Sequence, residues 1–265
     1  MKEIEIEELK KLQLEILVKV RDFCLAKDIS YYLAYGTLLG AVRHKGYIPW
    51  DDDIDIMMPR LDYERFIKEF NGYYKELEVV APELELSYYA PYANIIDNRT
   101  ILIEPSLNHD GLGVKIDLFP IDIVPNDEKD YHKICQESDN LNRIRSAKVA
   151  RLSFYKGLDW LRLLCKKVLF SLKDVKLIQK NIIELAERSF IKSGDFVDCI
   201  VFITIKNRRF PKTCLEGYEL VEFENMEFRA PKNYDCCLKA LFGNYMQLPP
   251  ENKRIAHHNF KAFWK

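Results

Sequence analysis

Residues 46–56 read GYIPWDDDIDI, and this stretch places four carboxylates within five positions. Alternating residues from Ile54 to Met58, followed by Pro59, predict a strand. Residues two apart on a strand share a face, so Asp53 and Asp55 should point the same way, about 6–7 Å apart. Carboxylates at that spacing can hold a hard cation such as Mg²⁺, which takes oxygen ligands and leaves positions for phosphate. The alternative interpretation is an exposed acidic turn after Pro49.

Two neighbouring motifs favour a phosphate site. Gly36 and Thr37 follow an apolar strand and open a helix, where backbone N–H groups and a hydroxyl can receive a phosphate. Asp117 is a lone carboxylate within the apolar strand 115–120, and such a charge is costly unless it is paired or metal-bound. The three motifs together predict a two-metal phosphoryl-transfer site.

The remaining pattern alternates helical and strand-like segments. Helices are predicted at 3–28, 61–70, 130–192 and 235–242, and strands at 29–34, 84–89, 93–96, 101–104, 114–119, 196–205 and within 219–228. No internal repeat or long flexible linker separates them. We therefore expect one domain over 1–265, with a core at about 28–125, a helical elaboration at about 130–193 and a C-terminal α/β part at about 195–265.

The composition is that of an ordinary globular chain. Of 265 residues 48% are hydrophobic and 31% charged, and a net charge of -1 argues against a nucleic-acid partner. The seven cysteines are scattered without a Cys-x-x-Cys pair, which indicates reduced thiols. The acidic start lacks a signal-peptide pattern, and no apolar run reaches the roughly 18 residues of a spanning helix. These features predict a cytoplasmic protein.

The near-neutral total hides a basic segment. Residues 143–176 contain ten basic and two acidic side chains among apolar residues. This pattern predicts an amphipathic basic helix, and the favoured interpretation is a solvated helix whose apolar side packs on the domain. The alternative is contact with an anionic membrane surface or polymer, which would put the protein peripherally at the inner face of the membrane.

Several of these motifs resemble one known family. The matching stretches are YGTLLGAVRHKGYIPWDDDID (35–55), DLFPID (117–122), FEN (223–225), GNYMQLPP (243–250) and His257-His258. They resemble the LicD family, which includes fukutin-like enzymes and belongs to the nucleotidyltransferase-fold superfamily of DNA polymerase beta. The resemblance implies an α+β fold in which a small mixed sheet is flanked by helices, with the helical segment added.

The resemblance also implies a reaction. Members transfer a phosphorylated alcohol from a CDP-activated donor to a sugar hydroxyl and release CMP. The expected case is phosphocholine from CDP-choline, delivered to a teichoic acid, a lipopolysaccharide precursor or another cell-surface glycan. CDP-ribitol and CDP-glycerol are alternative donors. Other open alternatives are a nucleotidyltransferase that attaches NMP from an NTP and releases pyrophosphate, and a binding module without turnover.

The resemblance further assigns the site residues. Asp53, Asp55 and Asp117 would be catalytic and would hold Mg²⁺ or Mn²⁺, two ions in all. Asp51 and Asp52 would assist from the loop. Donor phosphate would contact Gly36, Thr37 and Arg43, with Arg99 or Thr100 serving because Asn94 stands where relatives often carry a basic residue. His257 and His258 would line the acceptor side.

Overall fold

A computed structural model describes residues 1–189, 193–203, 209–255 and 260–265 of the chain. Over these residues the helices are α1 (Ile6–Lys27), α2 (Tyr35–His44), α3 (Arg60–Glu69), α4 (Glu128–Val149), α5 (Gly157–Leu169), α6 (Val175–Ser189) and α7 (Tyr234–Phe242). The strands are β1 (Glu3–Ile4), β2 (Tyr32–Leu33), β3 (Asp55–Pro59), β4 (Leu77–Val80), β5 (Ala93–Ile103), β6 (Asp110–Val124), β7 (Phe196–Asp198), β8 (Phe210–Pro211), β9 (Tyr218–Phe223), β10 (Met226–Pro231) and β11 (Lys261–Trp264).

The main sheet is mixed and has its long strands at the centre. Its described order is β1-β11-β5-β6-β3-β2, with β4 on β5 and with β7 and β8 continuing from β6. Strand β3 runs parallel to β6, whereas the other pairs are antiparallel. Helices flank this sheet, so the mixed α/β arrangement expected from the sequence is confirmed.

The core has two main parts. Helix α1 buries Leu9, Ile16 and Phe23 in the part that includes β3, β5 and β6. Helices α4 and α6 pack together with the end of β6 and with β7 in the other part, where Ile182 is buried. Burial of such side chains stabilises the fold by about 1.5–3 kcal/mol each.

The C-terminal hairpin fixes the loop that precedes the acidic cluster. Strands β9 and β10 are joined at Glu224 and Asn225, both at positive φ. The Glu224 carboxylate accepts the Tyr47 N–H at 3.0 Å, and the Glu224 N–H donates to the Lys45 carbonyl. A Cβ on Gly46 would clash with the Glu224 carboxylate, so a larger residue there would displace this side chain. The hairpin therefore determines where the acidic loop begins.

One predicted strand is wrong. Residues 84–89 form turns, although Tyr88 and Tyr89 are buried. Side chains from the helices satisfy this backbone: the Gln179 amide donates to the Tyr88 carbonyl at 2.7 Å, and the Arg145 guanidinium donates to the Tyr89 carbonyl. A loop can be buried in this way without a strand partner. The alternating pattern alone did not reveal these partners.

The single basic helix predicted over 143–176 is also wrong. Helix α4 ends at Val149, α5 covers Gly157–Leu169, and α6 begins at Val175. The chain leaves α4 at Ala150, which is extended, and Gly157, the breaker visible in the sequence, begins α5 with a positive φ of 58°. Strand β7 likewise ends at Asp198 and gives way to a 3₁₀ turn, while residues 204 and 205 of that predicted strand lie outside the described part.

Candidate active site

The predicted carboxylates come together where β3 and β6 lie side by side. Asp55 is the first residue of β3 and is the register partner of Asp117 on β6. Asp53 lies two residues ahead of Asp55, in the loop before the strand. All three side chains line one pocket of about 390 Å³, and Asp51 and Asp198 line it as well. The interpretation of residues 51–55 as an isolated exposed turn is therefore wrong.

The acidic loop has the composition of a cation site. Oxygens of Asp51, Asp52 and Asp53 lie within 4.8 Å of one another. Burial raises the pKa of Asp55 well above its ordinary value, and the charges of Asp53 and Asp117 raise it further. Hard cations prefer carboxylate oxygens, and a divalent cation would offset the repulsion among these groups. The donor set of the pocket thus fits Mg²⁺ or Mn²⁺.

Asp117 is oriented by two neighbours. The Lys115 ammonium donates to Asp117 Oδ1 at 2.9 Å, and the Asn94 amide donates to the same oxygen. Tyr88 donates its hydroxyl hydrogen to Asn94 Oδ1, which fixes the amide in turn. Burial alone would lower the pKa of Lys115, but the Asp117 charge raises it overall, so this lysine stays cationic.

A buried glutamine ties the acidic loop to the sheet. Gln13 on α1 donates its amide to the Asp52 carbonyl at 3.0 Å and to the Lys115 carbonyl at 3.3 Å. Its own carbonyl accepts the Tyr47 hydroxyl at 3.1 Å. One side chain thereby connects the loop to the β6 carboxylate region. Its one sequence signal is a polar residue on the apolar face of α1, and that signal alone does not predict a site residue.

Of the two phosphate-binding residues predicted at the start of α2, Gly36 lies at the same pocket and Thr37 does not line it. Gly36 lines it within the first turn of the helix, where Ala34 is the N-cap and no side chain caps the helix. Thr37 is buried behind this turn, and its hydroxyl oxygen accepts the Asp55 N–H at 2.8 Å. A helix N-terminus favours anions through its N–H groups and dipole. Thr37 holds that terminus against β3.

Arg43 faces a neighbouring pocket. Its guanidinium donates to the Tyr245 carbonyl at 2.7 Å and lines a cavity of about 250 Å³. The two pockets share Leu39, Ile48, Trp50 and Phe242 as lining residues. Trp50 therefore lies at the junction of two cavities.

The structure does not bring Arg99 and Thr100 to the pocket. The Arg99 guanidinium binds the Asp97 carboxylate at 2.6 Å. Arg99 is five residues after Asn94 on β5, which separates the two residues by about 17 Å in an extended strand. Thr100 donates to the Asp97 carbonyl and accepts the Val114 N–H, both at 2.8 Å. Both side chains stabilise the irregular β5–β6 pairing, so the predicted phosphate contact is corrected. His257 and His258 lie outside the described residues.

Aromatic side chains form one wall of the carboxylate pocket. Tyr92 packs on Phe119 with ring centroids 4.3 Å apart, and Tyr35 meets Phe119 at 4.9 Å. Phe202 extends the cluster, 5.5 Å from Tyr92. Four rings, from α2, β6, the loop before β5 and the 3₁₀ turn after β7, thus meet beside the acidic groups. Sequence reasoning could not select them among 15 Tyr and 15 Phe.

The fold and site define a mixed α/β protein whose pocket joins carboxylates, a helix N-terminus and aromatic rings, as suits an enzyme of phosphate esters. A family model described as LicD/FKTN/FKRP, nucleotidyltransferase domain, matches residues 28–134. The chain is 30% identical over 270 residues to the lipopolysaccharide cholinephosphotransferase LicD of Haemophilus influenzae, covering 99% of each chain. The chain therefore belongs to the LicD family.

Two further relatives match short segments. An uncharacterized protein of Rickettsia typhi is 52% identical over 56 residues, which are 21% of this chain and 18% of that protein. An uncharacterized protein of Rickettsia prowazekii is 54% identical over 48 residues, 18% of each chain.

Across the described part of the chain, no helix has the length and apolar character needed to cross a membrane.

Proposed function

We propose that this LicD-family enzyme transfers phosphocholine from CDP-choline to a hydroxyl of a cell-surface glycan, such as a lipopolysaccharide precursor, and releases CMP. The full-length similarity to a lipopolysaccharide cholinephosphotransferase supports this class of transferase. The single observation that carries the choice of donor is the aromatic wall beside the carboxylates. We also propose that the core is a nucleotidyltransferase-like fold, in line with the description of the matching family model.

Asp53, Asp55 and Asp117 would hold two Mg²⁺ or Mn²⁺ ions, with Asp51 contributing from the loop. Bound there, the ions would neutralise the donor pyrophosphate and the charge that develops on departing CMP. An anionic pyrophosphate is repelled by a pocket lined with carboxylates unless cations compensate their charge. Metal dependence is thus the electrostatic condition for donor binding.

The chain's own groups would then position the reactants. The N–H groups at the start of α2, near Gly36, would bind donor phosphate oxygens. Lys115 and Asn94 keep the Asp117 carboxylate in one orientation. The acceptor oxygen forms a bond to the choline-bearing phosphorus while the bond from that phosphorus to the CMP oxygen breaks. The acceptor proton passes to a carboxylate of the pocket.

The trimethylammonium group of choline would lie against the aromatic wall. Quaternary ammonium ions bind to the faces of aromatic rings, with about 0.5–2 kcal/mol from each cation–π contact. Tyr35, Tyr92, Phe119 and Phe202 provide such rings next to the position of the phosphate. Ribitol and glycerol are neutral and would gain nothing from this electrostatic attraction.

The acceptor would enter from a second pocket. A cavity of about 570 Å³ between α4 and α5 is lined by Asn142, Arg143, Tyr155 and Arg162, among others. Phe202 lines both this cavity and the carboxylate pocket, so the two are adjacent. Amide, charged and aromatic side chains together suit a saccharide. We assign this cavity to the acceptor glycan.

The donor assignment is tested by comparing products. The protein, with Mg²⁺ and a lipopolysaccharide precursor, is incubated separately with CDP-choline, CDP-ribitol, CDP-glycerol and each of the four NTPs. We expect CMP from CDP-choline at a rate well above those of the other CDP-alcohols, and no pyrophosphate. Pyrophosphate from an NTP with a labelled acceptor would establish the nucleotidyltransferase alternative. Binding of CDP-choline without any CMP would indicate a module without turnover.

The aromatic wall is tested by Phe202→Ala. This variant should raise the KM for CDP-choline about tenfold while changing the KM for CDP-glycerol little, because only choline carries a cation. The acceptor is the same in both assays, so an effect on acceptor binding cancels in the ratio. Phe242→Ala is the matched control, since Phe242 lines the same pocket from α7 outside the aromatic cluster. Equal changes for both donors would exclude Phe202 from choline recognition.

A further inference from the structure

Helix α5 exposes large apolar side chains along one face. Leu163 is its one buried residue, and the exposed apolar residues continue into the turn after the helix. The exposed fractions are 71% for Leu158, 49% for Leu161, 66% for Val168, 75% for Leu169 and 98% for Leu172. Isolated exposed leucines are common, but a contiguous group of this kind marks an interaction site.

The exposed residues form a single stripe. At about 100° per residue, the four on α5 lie within an arc of roughly 100°, directly opposite the buried Leu163. Leu172 extends the stripe beyond the helix end. The interpretation in which the apolar side packs on the domain is therefore wrong for α5. The helix packs through Leu163 and turns its other apolar side outward.

Basic side chains border the stripe. Arg162 and Lys166 lie on one flank, and Lys173 follows in the turn. Lys167 lies on the inner side of the helix, where its ammonium donates to the Lys148 carbonyl at 3.1 Å. The acidic residues of the region are Asp159, which pairs with Arg162 at 3.1 Å, and Asp174. The whole 143–176 segment has an excess of eight positive charges. An apolar stripe beside a cationic flank is the pattern of a helix that lies in a membrane interface.

We propose that α5 and the following turn dock this enzyme on an anionic phospholipid bilayer, with the helix in the plane of the interface. The leucine stripe would enter the boundary between headgroups and acyl chains, while the flanking cations would contact lipid phosphates. Charge complementarity selects this occupant. A second copy would bring two strongly basic segments face to face, and a soluble anionic polymer would leave the leucines in water.

The docking surface lies close to the acceptor pocket. Asp159, Arg162 and Lys166 line that pocket from the flank of α5 between the stripe and the buried Leu163. A bilayer against the outer side of α5 would therefore lie next to the glycan entrance. This consequence, delivery of a lipid-linked acceptor from the membrane, rests on the proposed function, whereas membrane docking itself does not.

The test is co-flotation of the full chain with vesicles. Vesicles of phosphatidylcholine alone are compared with vesicles that also contain phosphatidylglycerol, for the wild type and for the double variant Val168→Asp/Leu172→Asp. The control is Leu61→Asp/Leu220→Asp, which makes the same charge change at leucines that are 67% and 55% exposed elsewhere. Melting temperatures verify that both variants fold, as expected for substitutions of exposed side chains.

We expect the wild type and the control to bind the anionic vesicles, and the α5 variant to bind them at least about tenfold more weakly. CMP release from soluble substrates should be the same in all three proteins, so docking and catalysis are separated. Equal binding by the α5 variant would overturn the proposal, as would a wild type that binds neither vesicle. If the wild type bound no vesicles but formed dimers, and Val168→Asp/Leu172→Asp were monomeric, the stripe would be assigned to self-association instead.

Discussion

Asp55→Asn is expected to lower kcat/KM for CMP release by at least about 10³-fold, a loss of roughly 4 kcal/mol of transition-state stabilisation. Asp55 lies beside Asp117 in the β3–β6 register and next to Asp53 in the preceding loop. An amide keeps the shape of the side chain but removes the charge that a divalent cation needs. The measurement is steady-state CMP release at saturating Mg²⁺.

The same substitution is expected to stabilise the fold when no divalent cation is present. The folded pKa of Asp55 lies above its unfolded value of about 3.9, because of burial and of the charges of Asp53 and Asp117. The folded state therefore binds more protons than the unfolded state between these values, and wild-type stability falls as pH rises through that window. Asparagine removes this loss.

Melting in EDTA and in Mg²⁺ measures this effect. At neutral pH in EDTA, the melting temperature of Asp55→Asn should exceed that of the wild type by at least about 2–4 °C. A gain of about 1 kcal/mol in the free energy of unfolding produces a shift of this size in a chain of this length. Mg²⁺ should raise the melting temperature of the wild type and much less that of the variant. Asp22→Asn, at an exposed carboxylate on α1, is the control. Near-normal CMP release by Asp55→Asn would remove Asp55 from the site.

Asp122→Ala is expected to destabilise the protein by about 3–5 kcal/mol. Asp122 is fully buried at its side chain and forms a bidentate pair with the Arg60 guanidinium, with both contacts at 2.7 Å. The alanine would leave that buried cation without its main partner, since Glu83 is 3.7 Å away. The free energy of unfolding from urea titration measures the loss.

Two further variants isolate the cause. Arg60→Met combined with Asp122→Leu removes both charges and should recover most of the stability, because the penalty arises from one unpaired charge. Glu184→Gln removes an exposed partner of Lys180 on α6 and should cost less than about 1 kcal/mol. A cost below 1 kcal/mol for Asp122→Ala would contradict the proposed role of the buried pair.

Much of the fold was accessible from periodicity and breakers. The spacing of Leu9, Leu12 and Ile16 predicts α1, and Asp235 to Phe242 predicts α7, as observed. The predictions of secondary structure failed where side chains distant in sequence, and not the local pattern, determine the conformation. The 84–89 loop is held by Gln179, which is 91 residues from Tyr88, and by Arg145, which is 56 residues from Tyr89. A pattern of neighbouring residues does not reveal such distant partners. The β11 strand was missed because its pairing with the distant strands β1 and β5 defines it.

The candidate site divides in the same way. Carboxylates within an apolar strand indicate a ligand, because burying an unpaired carboxylate costs much free energy. Asp55 and Asp117 were therefore predictable. Gln13 and Asn94 were not, since their importance lies in hydrogen bonds to other elements. Arg99 and Thr100 were wrongly assigned because their nearest partner, Asp97, satisfies them within β5. The aromatic wall required the tertiary structure.

The most direct measurement of the central claim follows choline-labelled CDP-choline in the presence of Mg²⁺ and a lipopolysaccharide precursor. The account predicts that label enters the glycan in a one-to-one ratio with CMP, and that Asp55→Asn and Asp117→Asn abolish both products. Transfer of the cytidine moiety to the acceptor, or undiminished glycan labelling by either variant, would contradict it.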